Sequence, residues 1–178
     1  QELAVAEKRY FSEHENETKA IVLAATQGDK FAHLTSDRPK VMLQVNGKPL
    51  LSRLVDRFKK ANVKKVVVVG GFKSEKINIP SIELIENEAY ATSGELGSLY
   101  LARHQFSSDM IILYGDLLFR GYVLKGLIES DRELTVIVDS SKTEKKEGGD
   151  NDFAYCSVED NRELWGQDVL LDFVADLP

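Results

Sequence analysis

Cysteine is nearly missing, with one among 178 residues. A lone thiol excludes an internal disulfide framework and any zinc site built on several thiolates. Basic charge is also short: 23 Lys and Arg stand against 29 Asp and Glu, a net charge of −6. That balance argues against non-specific nucleic-acid binding, which depends on basic surface to neutralise phosphates. It still leaves room for a small basic pocket facing an anion. No apolar run approaches the ~20 residues of a membrane-spanning helix, and the N-terminal segment lacks the apolar stretch of a secretory signal. Two nucleotide signatures are absent as well: there is no G-x-x-x-x-G-K-[ST] sequence, and no G-x-G-x-x-G follows a strand pattern. What remains is 43% hydrophobic and 29% charged, the composition of an ordinary globular domain that is expected to be soluble and cytoplasmic. The start at Gln1 and the stop at Pro178, straight after an amphipathic stretch, read as a piece of a larger polypeptide.

Residues 1–18 are polar and of mixed charge, and read as a lead-in to a domain over 19–178. The run Ala20-Ile21-Val22-Leu23-Ala24-Ala25 has no alternation, as expected of a strand buried on both faces. A polar loop over 26–40 follows. Pro49 opens a helical pattern with Leu50, Leu51, Leu54, Val55 and Phe58 on one face and Arg53, Arg57, Lys59 and Lys60 on the other. Val66-Val67-Val68-Val69 predicts a second buried strand, 82–85 a short third, and Met110-Ile111-Ile112-Leu113-Tyr114 a fourth. Between and after them, helices are predicted over 95–106 and 121–129. A fifth strand is predicted over 134–138, a surface loop over 142–152, a strand over 153–158 and a final helix over 163–175. Alternating strand and helix with unpatterned β-branched strands predicts an α/β fold, a mostly parallel sheet covered by helices on both sides. In such sheets ligands sit beyond the carboxyl ends of the strands, which directs attention to the loops after Ala25, Val69, Ile85 and Tyr114.

After the first strand comes LAATQGDKFAHLTSDRPKVMLQVNGKPLL, residues 23–51. Its small residues Ala24, Ala25 and Gly28 expose backbone N–H groups that can cradle an anion. Lys30, Arg38 and Lys40 add cations to the same loop. An acidic protein that gathers cations where its sheet binds ligands is holding phosphates by this reading.

This segment resembles the signature of the MobA-like sugar-phosphate and choline-phosphate nucleotidyltransferases, roughly L-A-A-G-x-G-x-R…T…P-K-x-M-L-x-V-x-G-K-P-L. The matched positions are Leu23-Ala24-Ala25, Gly28, Thr35, Pro39-Lys40, Met42-Leu43, Val45 and Gly47-Lys48-Pro49-Leu50. Asn87-Glu88-Ala89-Tyr90 followed by Ser93-Gly94-Glu95-Leu96-Gly97-Ser98-Leu99 is similar to the base-side loop of the cytidylyltransferase branch. Tyr114-Gly115-Asp116-Leu117-Leu118-Phe119-Arg120 resembles the metal-binding segment of transferase domains fused to phosphoenolpyruvate mutase in phosphonate biosynthesis. The lead-in AVAEKRYFSEHENETKA resembles the linker of those fusions.

The resemblance implies a three-layer sandwich with a Rossmann-like sheet of the nucleotide-diphospho-sugar transferase type. It implies transfer of CMP from CTP to 2-aminoethylphosphonate or a relative, with Mg²⁺ as cofactor and release of pyrophosphate. It makes Lys40 and Lys30 the catalytic cations, and Leu23, Ala24, Ala25, Thr26, Gln27, Gly28 and Asp29 the phosphate loop. Gly94 and Glu95 fall beside the base, Asp116 becomes the metal ligand, and Arg38 and Asn87 face the substrate. A second carboxylate ligand is expected after Pro178.

Two positions depart from the family pattern: Thr26 stands for Gly and Lys30 for Arg. Threonine does not readily take φ > 0, and lysine lacks the bidentate fork. Other roles stay open at several residues. Asp116 could cap a helix, Glu95 could simply favour a helix N-terminus, and Tyr90 is read as packing. Cys156 is expected as a small buried residue and Trp165 as packing for the last helix. Phosphocholine or a sugar 1-phosphate could replace the phosphonate. Alternatively, the domain could be a nucleotide-binding appendage of a mutase without catalysis, or an assembly domain without nucleotide affinity.

Overall fold

A computed structural model describes residues 18–28, 32–139, 153–157 and 170–174. The chain divides into two compact units, Gln1–Lys125 and Gly126–Pro178.

The first unit is organised by four parallel strands in the order β5-β4-β1-β6: β1 Lys19–Ala24, β4 Lys65–Gly70, β5 Glu83–Glu86 and β6 Met110–Tyr114. Ile21 is opposite Val67 on one side and Ile112 on the other. Successive residues of β1 and β4 are buried, so the centre of the sheet is covered on both faces and the strands carry no polar alternation. This is the parallel α/β architecture that the apolar runs predict.

The loop after β1 holds a short helix α1 (Ala32–Thr35) and a 3₁₀ turn (Lys40–Met42), followed by a hairpin of β2 (Gln44–Val45) and β3 (Lys48–Pro49). The hairpin turns on Asn46 and Gly47, both at positive φ (48° and 71°), the pattern of a type I′ turn. It is fastened to α2 (Leu50–Lys60) by a Lys48–Asp56 ion pair and by Arg53, which donates to the Val45 carbonyl.

Helix α2 buries the predicted face, with Leu51, Leu54 and Phe58 almost wholly enclosed. Burial of each such side chain is worth on the order of 2 kcal/mol. The helix ends in a left-handed residue, Asn62 (φ 60°), and the Val63 N–H bonds the Phe58 carbonyl at 2.9 Å.

Helix α3 (Tyr90–Leu101) starts five residues before its expected onset and is broken at Gly94 (φ 62°, ψ −170°). The expected extension to residue 106 is instead a separate 3₁₀ turn, Arg103–Gln105. Helix α4 (Gly121–Ile128), predicted over 121–129, carries the division between the two units. Among the described residues, no helix is long and apolar enough to cross a membrane.

In the second unit, β7 (Phe153–Cys156) pairs antiparallel with β8 (Leu170–Val174), with a register shift between Tyr155 and Cys156. Two expectations are corrected here. Residues 134–138 form no regular strand, and Leu134 is 77% exposed. A β-branched run becomes a strand only where another strand accepts its hydrogen bonds. Residues 170–174, expected in a helix, are extended because a five-residue stretch with four apolar residues around Asp172 fits either period and the pairing with β7 decides it. Cys156 is half-buried rather than buried. The loop expected at 142–152, Trp165 and the rest of the expected final helix lie outside the described residues.

Candidate functional site

The carboxyl ends of β1 and β6 are stitched together where Gly115 donates its N–H to the Leu23 carbonyl at 2.8 Å. This sets Asp116 beside the start of the loop after β1. On the other side of β1, the Phe72 N–H bonds the Ala25 carbonyl at 2.9 Å and ties that loop to the end of β4. Pro39 is buried in an extended conformation (φ −69°, ψ 154°), and the chain turns directly into the 3₁₀ segment that carries Lys40. Buried Val41 anchors that turn, so the Lys40 side chain is directed back over the sheet end. Its Nζ lies 2.5 Å from Oδ2 of Asp116, from 76 residues further along the chain. The two side chains are 25% and 35% exposed.

They face a cavity of about 220 Å³. Its floor is formed by Leu23, Ala24, Ala25 and Thr26 at the end of β1, with Val41, Tyr114 and Asp116 around them. The opposite wall comes from α3 through Tyr90, Gly94, Glu95 and Ser98. The cavity thus combines one ammonium, two carboxylates and small-residue backbone at the carboxyl edge of a parallel sheet. The small-residue backbone of the loop after β1 suits a phosphate group, with Lys40 supplying a cation beside it and the carboxylates offering acceptors.

Most of the residues expected from the sequence converge on this cavity. Leu23, Ala24, Ala25, Thr26, Lys40, Gly94, Glu95 and Asp116 all line it. The positive φ of the loop falls on Gly28 (φ 78°) rather than on Thr26, so threonine meets no conformational penalty. Gly28 also carries the Lys40 stem: a Cβ there would come within 2.9 Å of Lys40 Cδ. Gln27 and Gly28 are half-buried and are not among the lining residues.

Arg38, expected at the substrate, is not among the residues lining the cavity and pairs with its neighbour. Its Nε and Nη2 donate to the two Asp37 carboxylate oxygens at 2.9 and 2.7 Å, in an exposed pair. The guanidinium holds the Asp37 carboxyl below its usual range, and the carboxylate in turn raises Arg38. Asn87, also expected at the substrate, is 2% exposed and lies beneath the α3 wall, with its carboxamide bonded to protein groups. Asp29 and Lys30 lie outside the described residues.

Tyr114, Ser98 and Val41 were not foreseen at the cavity. Tyr114 is the last residue of β6, at the carboxyl end of the sheet where ligands are expected. Tyr90, expected to pack, sets its ring edge-on to Phe72 at 6.2 Å and lines the cavity too. Among the described residues, no three His, Cys, Asp or Glu side chains converge into a metal cage.

Known proteins are similar to this chain in sequence and fold. The choline-phosphate cytidylyltransferase of Streptococcus pneumoniae is 28% identical over 116 residues, covering 63% of this chain and 51% of that protein. The 2-aminoethylphosphonate cytidylyltransferase of Lancefieldella rimae is 32% identical over 90 residues, covering 48% of this chain and 37% of that protein. The chain therefore spans about half, or less, of the length of these relatives. Among solved structures, the inositol-1-phosphate CTP transferase of T. maritima superposes with a TM-score of 0.56 at 26% identity, over 64% of this chain and 49% of its own. The MobA-like NTP transferase domain matches residues 20–147, the segment that contains the whole cavity, and the chain belongs to that family.

Proposed function

We propose that this chain is the nucleotide-binding part of a cytidylyltransferase that moves CMP from CTP to a small phosphonate, 2-aminoethylphosphonate or a relative. A phosphonate oxygen attacks the α-phosphorus of CTP, a new P–O–P bond forms, and the bond to the departing pyrophosphate breaks. Such chemistry needs positioning and charge neutralisation more than covalent catalysis. The observation that carries the reading is the meeting of Lys40 and Asp116 over one cavity at the sheet end.

In this reading the backbone N–H groups from Ala24 to Gly28 hold the β- and γ-phosphates. Lys40 neutralises the α-phosphate and the incoming phosphonate together, and Lys30 keeps its sequence-based assignment to the leaving charge. Glu95 offers an acceptor to the exocyclic amino group of cytosine. The residues present fit Mg²⁺: such an ion is commonly held by one or two carboxylates, with substrate phosphate and water completing its shell, and Asp116 supplies a carboxylate at the cavity. When bound, the ion would neutralise phosphate charge. The phosphonate assignment draws on the similarity to the Lancefieldella rimae enzyme and on the segment Tyr114–Arg120. A role in phosphonate biosynthesis, a fusion to phosphoenolpyruvate mutase and a cytoplasmic location belong to the same proposal.

A second acceptor has its own support. Tyr90 and Tyr114 both line the cavity, and aromatic rings can receive a quaternary ammonium, as in phosphocholine. The similarity to the pneumococcal enzyme also covers more of this chain. Pyrophosphate release, followed by a coupled colour assay with CTP, Mg²⁺ and each acceptor in turn, separates the readings. Release with 2-aminoethylphosphonate well above that with phosphocholine or glucose 1-phosphate supports the phosphonate. The reverse order transfers the assignment to the second acceptor, and no release with any acceptor, despite CTP binding, favours a nucleotide-binding domain without catalysis.

A further inference from the structure

We infer that Asn87 is a positioning residue that sets the nucleobase end of the cavity by holding the break in α3 at Gly94. The inference rests on the nucleotide reading above and goes beyond it, because it assigns Asn87 to shaping the cavity wall rather than to the ligand.

Asn87 is fixed to the sheet first: its N–H bonds the Gly70 carbonyl at 2.8 Å, one residue past the end of β5. From there its carboxamide reaches up under α3. Nδ2 donates to Ser93 Oγ and to Ser98 Oγ, each at 2.9 Å, and Oδ1 accepts from the Ala89 N–H at 3.1 Å. An amide side chain has two N–H donors and one carbonyl, and here both donors and the carbonyl are engaged within the protein. Ser98 completes the chain by donating its hydroxyl to the Gly94 carbonyl at 3.2 Å. The sheet end, Asn87, Ser98 and Gly94 are thus joined in one line of hydrogen bonds, and Ser93 grips the other side of the break.

Gly94 is the residue that makes the break possible. Its φ of 62° with ψ of −170° lies where residues with a Cβ are rarely found. A Cβ built there would meet nothing within 4 Å, so the backbone conformation rather than crowding calls for glycine. Glycine itself takes this conformation without strain, so the hydrogen bonds around it are what select the break over a continued helix. Releasing it would let α3 run on as a regular helix and turn Gly94 and Glu95 away from the wall they form.

Asn87→Asp tests this with little change in shape. The substitution removes both N–H donors but keeps an acceptor for Ala89. The serines could then bond the carboxylate only by donating, and Ser98 has a single proton already given to Gly94. One of its two bonds must be lost. In the full-length protein with Mg²⁺, calorimetry would follow CTP, UTP and tripolyphosphate, the last as a phosphate-only probe.

The expected result is a loss of roughly tenfold or more in CTP affinity and a narrower gap between CTP and UTP, with tripolyphosphate within about twofold of wild type. Ser98→Ala should move the same way, and the double variant should be no worse than Asn87→Asp alone because both act through one line. If Asn87→Asp shows no cooperative thermal transition, Ser98→Ala decides. Wild-type CTP affinity and selectivity in folded variants would overturn the inference, as would equal losses for CTP and tripolyphosphate, which general loosening produces. Wild-type protein that binds neither probe would overturn the nucleotide reading itself, and this inference with it.

Discussion

Lys40→Ala separates a binding site from a structural ion pair, because the two roles predict effects of different size. In the protein, Lys40 Nζ lies 2.5 Å from Asp116 Oδ2, with side chains 25% and 35% exposed. Water reaches both groups, so the pair belongs with partly solvated ion pairs worth about 0.2–1 kcal/mol, and Asp116 left alone can rehydrate. For a domain of this size the loss of this pair lowers the thermal midpoint by no more than roughly 4 °C. The loss of a charge-assisted bond to phosphate is larger, about 1.5–3 kcal/mol, or roughly 10–150-fold in Kd. Calorimetry with CTP and Mg²⁺, beside a thermal melt, measures both quantities on one preparation. Unchanged CTP affinity in a folded Lys40→Ala protein would refute the phosphate assignment. A fall in stability of several kcal/mol would show that the pair holds the fold together rather than the ligand.

Three further outcomes are expected. Asp116→Asn should weaken the dependence of CTP affinity on Mg²⁺ by about tenfold or more while leaving the melt within a few degrees, as seen by titrating Mg²⁺ at fixed CTP. Gly94→Ala, which forces a Cβ into φ 62°, should cost about 1–3 kcal/mol in urea denaturation even though the space around it is open. Asp56 is held below its usual carboxylate range chiefly by its hydrogen bond from Lys48. Its contribution is therefore fully present above the unfolded value near 4 and is lost as pH falls through the lower folded value. Because the side chain is 48% exposed, Asp56→Asn should remove less than about 1 kcal/mol at pH 7 and make stability fall less steeply below pH 4, which urea titrations at several pH values would register.

The parts of the fold visible in the sequence are those decided by burial on two faces. The runs around Ile21, Val67 and Ile112 lack alternation because neither side of the sheet centre meets water, and the structure places all three in register. The β2–β3 hairpin was hidden by the shortness of its strands, although Asn46-Gly47 is a strong turn signal. Residues 134–138 and 170–174 show the opposite failure. An apolar run fixes what is sticky, while a pairing partner decides whether it becomes strand, and β8 has one in β7. At the cavity, Lys40 and Asp116 were legible because each stands in a motif. Asn87 stands in a motif as well, but its burial and the orientation of its amide are tertiary facts. Arg38 lies off the cavity lining for a local reason: an aspartate directly before it offers both carboxylate oxygens, and no spacing rule weighs that competitor.

The most direct measurement is ³¹P NMR of the protein with Mg²⁺, CTP and 2-aminoethylphosphonate. New resonances for a mixed phosphonate–phosphate anhydride, growing together with pyrophosphate and absent with Lys40→Ala, are the predicted result. CTP and phosphonate signals that stay unchanged over hours, in a sample where CTP is shown to bind, would contradict it.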